Sequence, residues 1–141
     1  MTFLVDANIV LYAAISSDWS DACEQIVLAI SDGRADGQMS TATLEEVLHV
    51  ELAGKIKGID GLARRTYDVF HPLLPITDAI VARALALDHR KLGANDRIHV
   101  ATALANGIDA IVTADAAFDG VPGIRRIDPR NDRERLRLLE R

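Results

Sequence analysis

Short apolar runs and helically spaced apolar positions alternate along this chain. Phe3, Leu4 and Val5 form a continuous apolar run closed by Asp6, the pattern of a short buried strand over 3–6. Helices are predicted over 8–14 and 19–30, the second with Trp19, Cys23, Ile26, Val27 and Ile30 on one face. Residues 32–37 have turn composition, and 38–40 form a second short strand before a helix running from about Leu44 toward Ile56. Gly54 and Gly58 interrupt the pattern, which resumes over 61–70.

Leu73 to Ile76, broken by Pro75, reads as an edge strand. Thr77 caps a helix carrying Ile80, Val81, Ala84, Leu85 and Leu87, and Asn95 caps another over 96–106. Gly107 follows at the position where a left-handed residue ends a helix. A compact strand is predicted over 108–113 and a weaker one over 125–127, then a charged tail whose Leu136, Leu138 and Leu139 form a partial helical stripe. Strands alternating with helices, without repeat or linker, predict one α/β domain over 1–141. Its architecture is a three-layer α/β/α fold around a small, mostly parallel sheet.

Composition adds three limits. With 49% apolar residues the chain has the material for a real core. Its one cysteine, Cys23, excludes an internal disulfide and suits a reducing compartment, so a cytoplasmic location is expected. The start lacks a basic leader region, and no apolar run nears the roughly 20 residues that span a bilayer, so no membrane association is expected. The formal charge of −5 argues against nucleic acid only until bound cations are considered. Two divalent ions would neutralise four carboxylates, and a phosphate-bearing substrate would then depend on the metal.

Four acids stand at strand ends or helix starts: Asp6, Glu46, Asp96 and Asp115. Each has a plainer explanation alone. Acids at helix starts cap N–H groups and favour the macrodipole, and Thr43-Leu44-Glu45-Glu46 matches a capping box. Asp6 departs from this, because a carboxylate tight against a Phe-Leu-Val strand needs partners to offset its desolvation. In a parallel sheet, strand carboxyl ends and helix amino ends share one rim, so all four acids face one cleft. Unpaired they would repel one another, and a hard cation such as Mg²⁺ or Mn²⁺ is the natural counter-charge. Paired cations support in-line phosphoryl displacement by water without a His or Lys nucleophile.

His49 and His99 lie three residues after Glu46 and Asp96, which resembles the Glu-x-x-His ligand pattern of di-iron bundles. Strand-borne Asp6 and Asp115 argue against such a bundle, and surface positions are expected for both histidines, with a place behind the acids or facing the substrate as the alternative for His99. The chain lacks the paired early aspartates of haloacid-dehalogenase-like phosphatases and has no Gly-rich phosphate loop.

Taken in order, Leu4-Val5-Asp6-Ala7-Asn8, the stretch from Ser40 to Leu48, Asn95-Asp96-Arg97-Ile98-His99-Val100-Ala101-Thr102-Ala103-Leu104 and Ile111-Val112-Thr113-Ala114-Asp115 resemble a PIN-domain ribonuclease. The closer resemblance is to the VapC-type toxins of type II toxin–antitoxin pairs. It implies Asp6, Glu46, Asp96 and Asp115 as catalytic metal ligands, with Asn8 orienting Asp6 and Thr113 supporting the last acid. Glu45 is the rival to Glu46, since neighbours on a helix point about 100° apart. Asp119 is a possible fifth acid.

The resemblance also implies an Mg²⁺- or Mn²⁺-dependent endoribonuclease that cuts tRNA or rRNA and arrests translation. The expected partners are a VapB-type antitoxin and a second copy of the chain in a homodimer. The alternative is a PIN-like module that binds RNA or protein without cutting. Arg97, His99, Arg64 and Arg65 are the candidate RNA contacts. The pair Arg64-Arg65 serves equally as a dimer or antitoxin contact, and Arg97 equally as a solvated first-turn residue.

Overall fold

The structure is a computed structural model describing residues 1–140. Four strands, β1 (Thr2–Val5), β2 (Asp36–Gln38), β3 (Ala110–Val112) and β4 (Arg125–Ile127), form one sheet of order β2-β1-β3-β4. Every pairing is parallel. Seven helices complete the described fold: α1 (Ala7–Ala14), α2 (Ser20–Ser31), α3 (Thr41–Ala53), α4 (Leu62–Phe70), α5 (Asp78–Leu85), α6 (Ala94–Ala105) and α7 (Asp132–Leu139). None is long and apolar enough to cross a membrane.

The three layers follow from strand periodicity. Phe3, Val5, Ala110, Val112 and Ile127 meet α1, α2, α3, α4 and α7 on one face. Leu4 and Ile111 point the other way, into a cluster with Val100 and Ala103 of α6 and with Phe118, Val121 and Ile124. Both faces are covered, which is why the central strands β1 and β3 read as apolar runs. Helix α5 packs outside α6 through Ile80, Ala84 and Ala101.

Several boundaries differ from the sequence expectation for local reasons. Strand β2 begins two residues early, on the polar-looking Asp36-Gly37-Gln38. Gly37 permits this: a Cβ there would run into Ile30 of α2 and lie 3.0 Å from the Phe3 ring. The expected edge strand over 73–76 is reduced to one parallel bridge, Ser40 to Leu74. Thr43 does not cap α3. Ser40 does, accepting from the Thr43 N–H at 3.1 Å. Asn95 does not cap α6 either, because the helix starts at Ala94 with Gly93 in the capping position. Gly107 does take the left-handed conformation that ends this helix, at φ 68°.

Helices α3 and α4 are joined by a carboxylate. Glu51 accepts from the Gly61 and Ala63 N–H groups at 3.1 and 2.8 Å, satisfying donors at the start of α4. The tail folds back as α7, with Leu138 buried and Arg130 stacked over Trp19 at 4.1 Å.

The capping assignments are directly testable. Thr77→Ala removes a side chain that accepts from the Ile80 N–H at 3.3 Å and is expected to cost about 1 kcal/mol in urea denaturation. Asn95→Ala is expected to stay within about 0.5 kcal/mol. Equal losses at the two positions would contradict the assigned start of α6.

Candidate active site

Sheet register performs the first assembly step. Leu4 and Val5 pair with Ile111 and Val112, so Asp6 and Thr113 leave adjacent strands side by side. The Asp6 N–H still donates to the Val112 carbonyl at 3.1 Å, and the Thr113 N–H to Ile127 at 3.2 Å. Asp6 then caps α1, its Oδ1 accepting from the Ala7 N–H at 2.7 Å. Its Oδ2 accepts from the Thr113 hydroxyl at 2.8 Å and the Asn8 amide at 3.3 Å.

Asn8 and Thr113 each make several bonds around this carboxylate. The Asn8 amide also donates to the Thr113 oxygen at 3.0 Å, and its own oxygen accepts from the Ala114 N–H at 3.2 Å. The Thr113 oxygen accepts a second bond from the Asp115 N–H at 3.1 Å. A hydroxyl has one hydrogen and two lone pairs, and all three are engaged. Thr113 thus supports the backbone of the last acid while gripping the first.

Glu46 is freed by the true start of α3, since no capping box holds it back. Its Oε1 lies 3.0 Å from His99 Nε2, and the same nitrogen is 3.7 Å from Asp6 Oδ1. Of the adjacent glutamates, Glu46 turns inward and Glu45 stays exposed. His99 is not a surface residue. It is 1% exposed, with Nδ1 toward the Thr43 hydroxyl at 3.5 Å. No RNA can reach it there, which corrects its assignment as a contact. Spacing on α6 could not reveal this, because the burial comes from α3 and β1. His49, by contrast, is exposed as expected.

Asp96 is the third residue of α6 and receives a hydrogen bond from the Gly93 backbone. Its carboxyl is pushed up by burial first, then by the charges of Asp115 and Asp6. Asp6 is also raised, chiefly by burial, with Glu46 adding to it. His99, Thr113 and the Ala7 N–H offset this only in part. Asp115 is exposed and caps the short 3₁₀ turn Ala116–Phe118 through Ala117 at 2.9 Å. Asp119 is held by Arg126 at 2.8 Å, which lowers its pKa and commits it to an ion pair.

Ligand atoms of Asp6, Glu46 and His99 all lie within 4.8 Å of one another, close enough to share one cation. Asp96 and Asp115 complete an acidic rim whose members raise each other's cost of ionisation. An oxygen-rich set with one imidazole suits Mg²⁺ or Mn²⁺.

The other candidate contacts have different employment. Arg97 donates from Nε to the Leu92 carbonyl at 3.0 Å, from one terminal nitrogen to His89 at 3.2 Å and from the other to Leu87. Its guanidinium clamps the loop that leads into α6, so neither the RNA contact nor the solvated role holds. Arg64 is solvated and pairs with Asp68 at 3.2 Å. Arg65 bonds the Asp60 carbonyl at 2.9 Å and borders an apolar groove formed by α1, α2 and α4.

Burial lowers the His99 pKa, but its bond to Glu46 and the charges of Asp6, Glu46 and Asp96 outweigh that and leave it raised. Asp6, Asp96 and His99 are therefore all raised in the folded, metal-free state. A raised group contributes its stability fully below its unfolded pKa and loses it as pH climbs through the folded pKa. For His99 that window opens near about 6.5, and for the aspartates near about 3.9. Metal-free protein is expected to lose Tm as pH rises above about 6.5, with Mn²⁺ restoring more as pH climbs. His99→Asn should flatten the slope. A metal-free Tm that rises across this range would contradict the assignment.

A PIN domain profile matches residues 3–124 of the chain. It is 31% identical over 132 residues to the VapC ribonuclease Mb1869c of Mycobacterium bovis and to ribonuclease VapC13 of Mycobacterium tuberculosis. Each alignment covers 88% of this chain and 98% of the relative. Two solved structures share the fold. One is a toxin–antitoxin complex from Klebsiella pneumoniae (TM-score 0.66, 24% identity, 91% of this chain and 98% of that one). The other is VapBC2 of Rickettsia felis bound to a promoter DNA fragment (TM-score 0.67, 15% identity, 91% of this chain and all of that one). The chain belongs to the PIN-domain family, among the VapC ribonucleases.

Proposed function

We propose that this protein is a divalent-metal-dependent endoribonuclease, the toxin of a VapB-controlled pair that cuts tRNA or rRNA and arrests translation. The observation that carries this reading is the buried Asp6 carboxylate. It is fixed by Thr113, Asn8 and Ala7 beside Glu46 and His99, with Asp96 and Asp115 close enough to disturb its rim electrostatically. Asp6, Glu46, Asp96 and Asp115 would hold Mg²⁺ or Mn²⁺. Bound there, the cation supplies Lewis acidity at the scissile phosphate and acidifies an attacking water.

The protein's own groups set the geometry. Asn8 and Thr113 fix the orientation of Asp6, and His99 fixes that of Glu46. No side-chain nucleophile stands on the rim, so water attacks phosphorus and the 3′ oxygen leaves. The products are a 5′-phosphate and a 3′-hydroxyl. The non-catalytic alternative has less support, because a binding module has no need for Asp6 and Asp96 held at this cost in desolvation beside two further acids.

The toxin–antitoxin complexes among the similar structures support an antitoxin as partner. We assign an amphipathic segment of the antitoxin to the groove lined by Val10, Val27, Leu28, Val69 and Phe70, where Arg65 and Glu24 offer both charge signs. A homodimer would use apolar side chains left at the surface, chiefly Leu85 of α5, which is 81% exposed.

Asp96→Asn is expected to reduce cleavage of total cellular RNA by at least about a hundredfold while the fold and antitoxin binding persist. Removing a negative ligand weakens cation affinity without opening a cavity. Thr113→Val keeps the shape, loses three hydrogen bonds, to Asp6 and from Asn8 and the Asp115 N–H, and should weaken Mn²⁺ binding in calorimetry about tenfold or more. Full cleavage by Asp96→Asn, or cuts that persist in EDTA, would sink the metal reading.

A further inference from the structure

A second cavity opens beside Glu46, away from Asp6. Its volume is about 320 Å³, and it is lined by Ala42, Glu45, Glu46, His49 and Val50 of α3 and by Asn95 of α6. That is at the small end of ligand-site volumes. Among the described residues, the side chains of Glu45, His49 and Asn95 have no hydrogen-bond partner. Asn95 is the informative member. An asparagine at a helix start ordinarily caps it, yet Gly93 takes that position and leaves the amide unspent.

The chemistry of the lining is selective. Ala42 and Val50 offer apolar surface, His49 a flat ring, Asn95 a donor and an acceptor, and Glu45 an acceptor only. Unpaired RNA bases are recognised by this combination of stacking surface and polar groups on the Watson–Crick edge. Because Glu46 forms a shared wall, whatever enters sits next to the acids proposed to act on phosphate.

We propose that this cavity is a base-reading subsite that takes an unstacked guanine next to the scissile phosphate. His49 lies against the base, and Asn95 and Glu45 engage its edge. Guanine is favoured because its N1–H and N2–H are adjacent donors that match the two oxygens of Glu45. Uracil and cytosine lack that pair. The inference rests on the ribonuclease reading and assigns its sequence preference. It also divides the adjacent glutamates: Glu46 serves the reaction centre and Glu45 the choice of substrate.

The test is cleavage of a randomised single-stranded RNA pool by antitoxin-free protein in Mn²⁺, with sequencing of the new ends. Wild type should enrich guanine at one position flanking the cut. Glu45→Gln and Asn95→Ala should lower that enrichment about tenfold, the scale of one lost bidentate contact. His49→Ala should raise KM about tenfold for a guanine-containing substrate with kcat retained. Mn²⁺ affinity by calorimetry should be unchanged in all three, which separates base reading from damage to the acids.

A triple variant with the wild-type profile and KM would overturn the subsite and leave the ribonuclease reading intact. If wild type cuts nothing, that reading fails. The cavity is then judged by NMR titration of labelled protein with the tetranucleotides UUGU and UUUU. Shifts at the Asn95 side-chain amide and His49 with UUGU alone uphold it, and their absence overturns it.

Discussion

The contact between the Thr113 hydroxyl and the Asp6 carboxylate, 2.8 Å long and fully buried, is the constraint on which the rest depends. It bridges residues more than a hundred positions apart in the chain. It exists only if β1 and β3 pair in parallel with Val5 opposite Val112. A one-residue slip would send Phe3 and Val5 to the wrong face and carry Asp6 away from Thr113 together. Core packing and site assembly are thus selected by the same register. An ionised carboxylate in this position is costly, and neutral donors with the nearby imidazole only partly offset the cost.

The helices then deliver one acidic side chain each to that point. Helix α1 begins on Asp6 itself, α6 brings Asp96 and His99, and α3 brings Glu46. Because His99 from α6 meets Glu46 from α3 at 3.0 Å, the two helices are fastened across the cleft by the groups that define it. Arg97 fastens the approach to α6 by three carbonyl bonds. A basic residue beside an acidic site need not face a phosphate when its own loop has carbonyls to satisfy.

Much of this was legible in the sequence, and the misses have identifiable causes. The apolar runs placed β1 and β3, because strands buried on both faces leave an unbroken signature. Asp6, Asp96 and Asp115 stood out because each follows or starts an element. Strand β2 was misplaced because its condition is steric: Gly37 is needed for close approach to Ile30, and no propensity scale records a neighbour 7 residues away. Both caps, Thr43 and Asn95, were misassigned for one reason. Each helix starts slightly earlier, on Ser40 and Gly93, and a capping motif does not fix its own register. The burial of His99 was missed because what buries it comes from elements distant in sequence.

His99 has one more consequence, for the order in which the protein comes into being. A small zinc module cannot fold until its ion arrives, since nothing else offsets its ligands. Here an imidazole already stands between Asp6 and Glu46 and shares their hydrogen-bonding and charge. On the proposed reading, the imidazole would stand in for part of the cation's charge before the metal binds. Folding would then not have to wait for the metal.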